Sequence, residues 1–414
     1  MLIAARASSG KTMVWIIPIL AEAAALGRSV VFAWVLGPSE LGQAMILALT
    51  VRLAEMASDV GVDRLILQAE DGGSCGFQSK MHGVTIARGL IAALVLLAAA
   101  PILSAVFTDG PSPASYAWLA AILALRGMVH LDFRRSERLF RYKRMALIEG
   151  GATVAMIICV VPAAVIFADH RAMPAVLIAH AAVYAVLSHL VATRRYRVRF
   201  SVSAFLRVWR FGAPLISNAV LLFVIFYADR LIVSKAYDWA TLAVYGVALQ
   251  LALLPAQITG RAAASLVLPR LRIAIRRNAL ALTWQPVFTL HVLLATSMTA
   301  GFVLLSPSFI AFVYGSGFRP DAALVLALGG AAGFRILRTP YSQLAIATGR
   351  TGDPARANLV RALALIPAAV FAVVGLPLAA IAAAAALGEA GASLRAYLLA
   401  RPTFSTSEKE EVFA

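Results

Sequence analysis

"TVRLAEMASDVGVDRLILQ", residues 50–68, decides between two kinds of protein. It carries Arg52, Glu55, Asp59, Asp63 and Arg64, and apolar runs flank it on both sides. On a soluble protein it would be the wet face of a surface helix. In a membrane protein it is a polar stripe, turned by default toward protein or a water-filled cavity. The composition selects the second. Apolar residues make up 61% of the 414 and charged residues 14%, against roughly 45–50% and about 25% in soluble domains. Mean hydropathy is +0.84. Windows such as 89–107, 287–305 and 360–387 are long enough to cross a bilayer, which takes about 20 apolar residues at about 1.5 Å rise each. Helices are the spanning form, since lipid offers backbone N–H and C=O no partner. The alternating pattern of a β-barrel is missing.

Cutting at turn residues and charge clusters predicts twelve transmembrane helices: 13–36, 41–67, 83–107, 114–133, 146–167, 172–193, 211–235, 241–268, 282–305, 321–346, 356–375 and 378–400. The net charge of +17 could serve nucleic acid or a membrane surface, and its distribution chooses. One set of connections holds 24 Lys and Arg, with six in 134–144, six in 194–210 and four in 270–277. The alternate set holds only Arg171, Lys235 and Arg319. Such alternation is the positive-inside pattern. It predicts N-in and C-in and excludes a nucleic-acid partner. An uncleaved first helix is favoured over a signal peptide, given the many spans that follow.

The outer loops ("GPSE", "TDGPSP", "ADHRAMP", "KAYDWA", "GSGFRP", "GLP") are too short to fold. The inner segment "RRYRVRFSVSAFLRVWR" (194–210) is expected to contain a short amphipathic helix. It divides the chain into an N-terminal six-helix lobe (1–200) and a C-terminal one (201–414), and such halves commonly enclose a central site. The repeat between "LGPSELGQAMIL" (36–47) and "DWATLAVYGVAL" (238–249) is faint.

Motifs for chemistry are weak. "ARASSGKT" (5–12) imitates a phosphate loop, but Ala5 replaces the leading Gly and no strand–turn–helix domain follows to hold a nucleotide. "GGSCG" (72–76) lacks the context of a nucleophile elbow. His82, His130, His170, His180, His189 and His291 are scattered without zinc-ligand spacing, though His180 or His291 could relay protons. Cys75 and Cys159 suit no metal site and are expected as free thiols. No outer loop carries paired carboxylates. These readings predict no catalytic residue, metal or cofactor.

The spans carry the informative residues. At about 100° per residue, Arg52, Asp59 and Asp63 fall within about 40° of one another, with Glu55 about 60° from Arg52. Gln250, Gln257 and Arg261 align similarly, as do Asn218 and Asp229. Arg335 and Thr339 share a face flanked by Arg338 and Ser342. Each stripe also has a plain structural reading: Arg52 and Glu55 as an ion pair, Asp229 and Arg230 as interface anchors. Arginines at depth outnumber acids, and Arg335 and Arg338 stand one turn apart without a local acid. A cationic cavity suits a phosphate-bearing ligand, because the guanidinium stays charged and grips phosphate oxygens in a fork.

Four stretches carry a resemblance: "LGRSVVFAWVLGPSELGQAMILAL" (26–49), "ASDVGVDRLIL" (57–67), "WRFGAPLISNAVLLFVIFYADRLIVSKAYDWATLAVYGVALQL" (209–251) and "YGSGF" (314–318). The chain resembles the polysaccharide-export (Wzx-type O-antigen) flippases, in the superfamily that includes multidrug antiporters and lipid II flippases. The resemblance implies an all-α integral membrane protein of two six-helix lobes around a V-shaped central cavity, working by alternating access. It places Arg28 at a functionally important arginine of lipid II flippases, Arg210 at the cytoplasmic mouth, and Arg52 and Arg261 on the cavity wall.

The function so predicted is flipping of a polyprenyl-pyrophosphate-linked oligosaccharide to the outer leaflet of the bacterial inner membrane. The lipid tail stays in the bilayer between the lobes. Arg28, Arg52, Arg210, Gln257, Arg261, Arg335 and Arg338 are expected to face substrate, and Glu55, Asp59 and Asp229 to couple an ion. The expected partners are the lipid-linked oligosaccharide, membrane lipids, a polysaccharide polymerase and export proteins. The rivals are a cation-coupled multidrug antiporter on the same fold, against which the arginine excess counts, and a membrane polymerase or ligase, against which the short outer loops count.

Overall fold

The computed structural model describes the backbone of residues 2–107 and 109–412 and the side chains of 17, 19–107 and 109–403. The "ARASSGKT" motif, with Arg6 and Lys11, and the tail's Lys409 fall outside the described side chains. No described residue is in a β-strand. Fifteen α-helices follow in order: α1 (Leu2–Ser58), α2 (Val62–Gln68), α3 (Cys75–Val106), α4 (Pro113–Gly127), α5 (Asp132–Arg138), α6 (Lys143–Phe167), α7 (Ala172–Leu190), α8 (Val202–Ala236), α9 (Trp239–Ala262), α10 (Leu268–Arg276), α11 (Leu280–Tyr314), α12 (Ala322–Ala347), α13 (Asp353–Leu363), α14 (Leu365–Val374) and α15 (Leu378–Val412). Among the described residues ten helices are long and apolar enough to cross a membrane, or eleven if the bent pair α4–α5 counts as one span.

One of the ten, Ile19–Ser58, has 40 residues. A straight helix of that length rises about 60 Å, twice the hydrocarbon core of a bilayer. Gly37 interrupts it with φ 78°, a conformation that favours glycine, and Pro38 follows. The sequence turn "GPSE" therefore breaks the helix, although the hydrogen-bonded ladder runs on around it.

The span expected over 41–67 stops short. α1 ends at Ser58, and Gly61 at φ 71° opens the separate helix α2. Asp59 Oδ1 accepts the Gly61 N–H at 3.0 Å, a local turn that competes with the helix. The amphipathic helix expected inside 194–210 also differs. Residues 195–201 are non-helical, and 202–210 form the first turns of α8 itself.

The chain forms two compact units, Met1–Phe223 and Val224–Ala414. In unit 1 the core under α3 and α4 includes Leu47, Leu96, Tyr116, Leu119, Ile122 and Leu123. Lipid is as apolar as leucine, so helix association depends on close packing and small residues. The crossing of α3 and α4 uses both. A Cβ added at Gly89 would lie 2.7 Å from Gly127 Cα, and one at Gly127 2.9 Å from the Thr85 carbonyl oxygen. Gly127→Val is expected to lower the thermal stability of the purified protein by about 1–3 kcal/mol, the usual cost of overpacking. Gly150→Val, built into open space, is the control in the same melting measurement.

The loops of unit 1 sort into two ends. At one end, Glu40 Oε2 after the Gly37 break accepts the His170 N–H at 2.8 Å, and the His170 ring meets Ser115 at 3.2 Å. At the other, Arg138 donates to the carbonyls of Ile66 and Ala69. Arg194 donates to Gly73 at 2.8 Å, and buried Asp132 holds Arg135, Arg144 and the Thr193 N–H. Within unit 1 the arginine-rich connections 134–144 and 194–197 thus gather at one end.

In unit 2, α11 and α12 approach through Gly329 and Gly333, where Thr299 Oγ1 donates to the Gly329 carbonyl at 3.1 Å. A π turn, Ala263–Val267, follows α9 directly after Arg261 and Ala262.

Candidate functional site

The residues of the opening stretch come together in unit 1, around a cavity of about 710 Å³. Arg52, Glu55, Asp59 and Asp63 all line it, although they no longer share one helix. Asp59 sits in the break and Asp63 in α2, and the bend keeps both aimed at the same space.

The acids of the stretch do not pair with its own arginine. Glu55 meets Arg126 of α4 at 3.4 Å, Asp59 meets Arg88 of α3 at 3.5 Å, and Asp63 meets Arg134 of α5 at 2.9 Å. The local Arg52–Glu55 pairing considered from the sequence is therefore replaced by three contacts to three other helices. The guanidinium of Arg126 also lies 4.6 Å from the centre of the Tyr184 ring, a favourable cation–π distance. The glycine crossing explains the placement: Gly89 follows Arg88, Gly127 follows Arg126, and their close approach brings both arginines to one wall.

Five arginines and four carboxylates line the cavity, the fourth acid being Glu149 of α6. The wall is thus close to balanced, where the sequence predicted a strong cationic excess. Pairing uses Arg88, Arg126 and Arg134. Arg52 and Arg64 make no ion pair or hydrogen bond among the described residues, and Glu149 has no ion pair among them. His180, Tyr184 and Asn218 complete the polar lining.

Arg28 stands apart from this wall. Its Nη1 donates to Met156 Sδ at 3.4 Å, and its buried Nε has no partner. Arg210 is exposed near the start of α8. One turn before it, Arg207 binds Asp71 through two hydrogen bonds of 2.8 and 2.9 Å. That hydrogen bonding holds the Asp71 carboxyl below its ordinary range.

Unit 2 holds a second cluster. Arg335 and Arg361 both face the Phe226 ring, at 4.9 and 4.5 Å from its centre. Arg338 donates to Asn358 Oδ1 at 2.5 Å and pairs with Glu389 at 3.3 Å, while Arg361 pairs with the same carboxylate at 3.0 Å. The acid missing from the local sequence of Arg335 and Arg338 is thus Glu389 of α15. Asp229 accepts the Tyr245 hydroxyl at 2.9 Å, and Arg230 stacks on Tyr227 at 5.2 Å. Gln257 and Arg261 lie half-buried farther along α9, three or more turns beyond Tyr245.

Three of the histidines are not scattered. His82, His130 and His189 surround Tyr196, with ring centres 4.4, 5.3 and 4.6 Å from it. Each ring binds a backbone carbonyl: His82 that of Arg197, His130 that of Arg194 and His189 that of Met128. Their work is to pin the 194–197 segment to α3 and the α4–α5 bend. Among the described residues no group of three His, Cys, Asp or Glu could hold a metal ion. Both cysteines are free.

Sequence reasoning missed Glu149, Arg134 and Arg361 as site residues. The last two fall in segments whose charge the orientation rule absorbs. The signal that could have found Arg361 was Glu389, an acid inside an Ala-rich apolar span with no basic residue within one turn on its own helix.

A family described as "Polysaccharide biosynthesis protein" matches residues 31–322. No curated protein sequence matches the chain. Among solved structures, one titled lipid II flippase MurJ in an inward closed conformation aligns with a TM-score of 0.75 at 14% identity, over 93% of this chain and 87% of that one. An inward-facing multidrug-resistance MATE transporter of the MOP superfamily aligns at 0.69 and 14% identity, over 93% and 95%. A MOP superfamily transporter from Pyrococcus furiosus, titled for the reverse polarity of its binding pocket, aligns at 0.52 and 13% identity, over 98% and 96%. At these identities the likeness is one of fold: this is an all-helical, multi-pass membrane protein with the architecture of those transporters.

Proposed function

The chain belongs to the polysaccharide biosynthesis protein family, and on that premise we propose that it is a flippase, not an enzyme, for a polyprenyl-pyrophosphate-linked oligosaccharide. It carries the molecule from the cytoplasmic to the outer leaflet of the bacterial inner membrane by alternating access. The reading takes twelve spans, counting the helix broken at Gly37 as two and the bent pair as one, in two six-helix lobes with both termini inside. A polysaccharide polymerase and export proteins are its expected partners.

One observation supports this reading: the polar cavity of unit 1, where the guanidinium groups of Arg52 and Arg64 are unpaired among the described residues. Free guanidinium groups bind phosphate oxygens in bidentate fashion, and a water-accessible wall of mixed charge offers a glycan hydrogen-bond donors and acceptors. Arg28, half-buried and with an Nε that has no hydrogen-bond partner among the described residues, is proposed to serve the same ligand, with Arg210, Gln257, Arg261 and Arg335 along its route. Arg338, held by Asn358 and Glu389, serves it by positioning. A drug antiporter that takes organic cations would want free carboxylates, whereas three of the four acids here are already paired with arginines.

Coupling is assigned differently from the sequence expectation. Glu55 and Asp59 are engaged by arginines and Asp229 by Tyr245, so Glu149 is the cavity acid best placed to take up and release a cation. Glu149→Gln is expected to cut transport severalfold while leaving the melting temperature unchanged. Equal transport by this variant across membrane potentials would remove Glu149 from the mechanism.

The decisive test is surface polysaccharide in cells carrying Arg52→Ala with Arg64→Ala. A loss of about tenfold, equivalent to about 1.4 kcal/mol, is expected, with lipid-linked repeat units accumulating in the inner leaflet. Full export by this variant would overturn the flippase assignment of the cavity.

A further inference from the structure

A second space adjoins the charged cavity of unit 1. It is an apolar groove of about 440 Å³ along α1, α3 and the start of α8. Of its eighteen lining residues, only Thr50, Ser58, Arg88 and the indole of Trp209 bring polar atoms. On α3 the groove extends from Val84 to Leu103, a rise of about 29 Å at 1.5 Å per residue, close to the hydrocarbon thickness of a bilayer. Ala54, Ala57, Ala92 and Ala99 keep it deep, because their side chains stop at Cβ.

The two spaces share a boundary. Ser58, Arg88 and Ala92 line both. Arg88 stands at the seam, reaching Asp59 at 3.5 Å through Nη1 while its buried Nε has no hydrogen-bond partner among the described residues. It is also the last charged residue before the apolar run 89–107. A ligand that fits both spaces is therefore amphiphilic: a long single hydrocarbon chain running along α3 from Arg88 toward Leu103, joined at Arg88 to an anionic group, with a polar body beyond it.

We propose that this groove holds the isoprenoid chain of the carried lipid, with Arg88 receiving the phosphate that joins chain to head. This rests on the flippase reading, and it moves the lipid tail from open bilayer between the lobes onto a defined surface of unit 1. Ordinary phospholipid is the competing occupant. Its two acyl chains and glycerol place the phosphate at the end of a paired tail of about half the bilayer thickness, so it does not fill the length of the groove.

The test uses the full chain in phosphatidylcholine vesicles with a radiolabelled long-chain polyprenyl phosphate, which carries no sugar. The photoreactive residue p-benzoylphenylalanine is placed at position 95, in the groove, or at position 158, on α6 outside it. Val95 and Ile158 are 63% and 66% exposed, so simple access to lipid is matched. Illumination is expected to label position 95 about fivefold more than position 158, a preference of about 1 kcal/mol. Excess unlabelled polyprenyl phosphate should remove the label, and the same excess of phosphatidic acid should not. Ala99→Trp, which fills the groove without touching the cavity wall, should reduce labelling at position 95.

Equal labelling at the two positions, or equal competition by phosphatidic acid, would overturn the proposal. The outcomes also separate this inference from the function it rests on. Labelling of the groove with full export by the Arg52→Ala, Arg64→Ala variant would sink the flippase reading and keep the groove as a prenyl-lipid site. Lost export with no groove preference would sink the groove alone.

Discussion

Replacing Glu389 with Gln is expected to remove most of the folded protein from the membrane. Its carboxylate is 4% exposed and bridges Arg338 and Arg361, themselves 10% and 14% exposed. Two guanidinium groups thus depend on one acid, and Arg335 stands on the same Phe226 ring as Arg361. Removing one partner of a buried ion pair costs about 3–5 kcal/mol, and total stability is only about 5–15 kcal/mol. The amide keeps the size of the side chain and loses only its charge. The measurement is the yield and melting temperature of monomer in detergent. Glu389→Asp should recover part of the loss. Converting the group to apolar residues, Glu389→Leu with Arg338→Met and Arg361→Met, should recover most of it, because a well-packed hydrophobic replacement of a buried ionic triad is often neutral or stabilising. If the Gln variant melts like the parent, Glu389 is not the counter-ion of the cluster. If the apolar triple variant folds but exports nothing, the charges serve transport, and their structural role is replaceable.

The helices were legible because a span obeys one-dimensional rules: a rise per residue, a run of apolar side chains and charges at the ends. "GPSE" marks a real feature, the break at Gly37, whereas "FGAP" (211–214) lies inside α8, which already begins at Val202. The polar stripe was legible too, since Arg52, Glu55, Asp59 and Asp63 do converge on one space. What the sequence hides is partnership. Glu55 finds Arg126 and Asp63 finds Arg134, each 71 residues away, and no helical wheel contains that information. Arg134 and Arg361 were hidden by a rule that is sound on average. Basic residues flanking spans are read as orientation marks, yet each of these two meets an acid. A near-balanced wall in unit 1 is the result, where counting arginines predicted excess positive charge.

Both units solve the same physical problem in the same way. A charged pair on neighbouring apolar helices needs the two side chains within reach, and close backbones provide that. Gly89 and Gly127 let α3 and α4 touch beside Arg88 and Arg126. Gly388 does this for Glu389: a Cβ there would lie 2.5 Å from Ala364 Cβ and 3.4 Å from the Arg361 carbonyl oxygen. The glycine next to the charge is a positional signal that a reader of one sequence can use, since each of these lies one residue from a charge inside a span.

Exchanging the charges of the Glu55–Arg126 pair separates bracing from ion coupling. Arg126→Glu alone places two carboxylates on the cavity wall and strips the cation from the Tyr184 ring. Like charges at this separation repel by at least about 1 kcal/mol even in water, and by more beside apolar helices. Export is expected to fall by tenfold or more, with the melting temperature reduced. The double variant Glu55→Arg with Arg126→Glu restores opposite charges at the same distance. If the pair is a brace for the cavity, the exchange recovers at least half of the export and most of the stability, the signature of a direct pairwise interaction in a double-mutant cycle. If Glu55 is the coupling acid predicted from its stripe, the exchange recovers stability but not export, because the carboxylate then sits on α4 and its old position carries a permanent cation. The pairing seen here favours the brace, because Glu55 already has a counter-ion at 3.4 Å on a second helix.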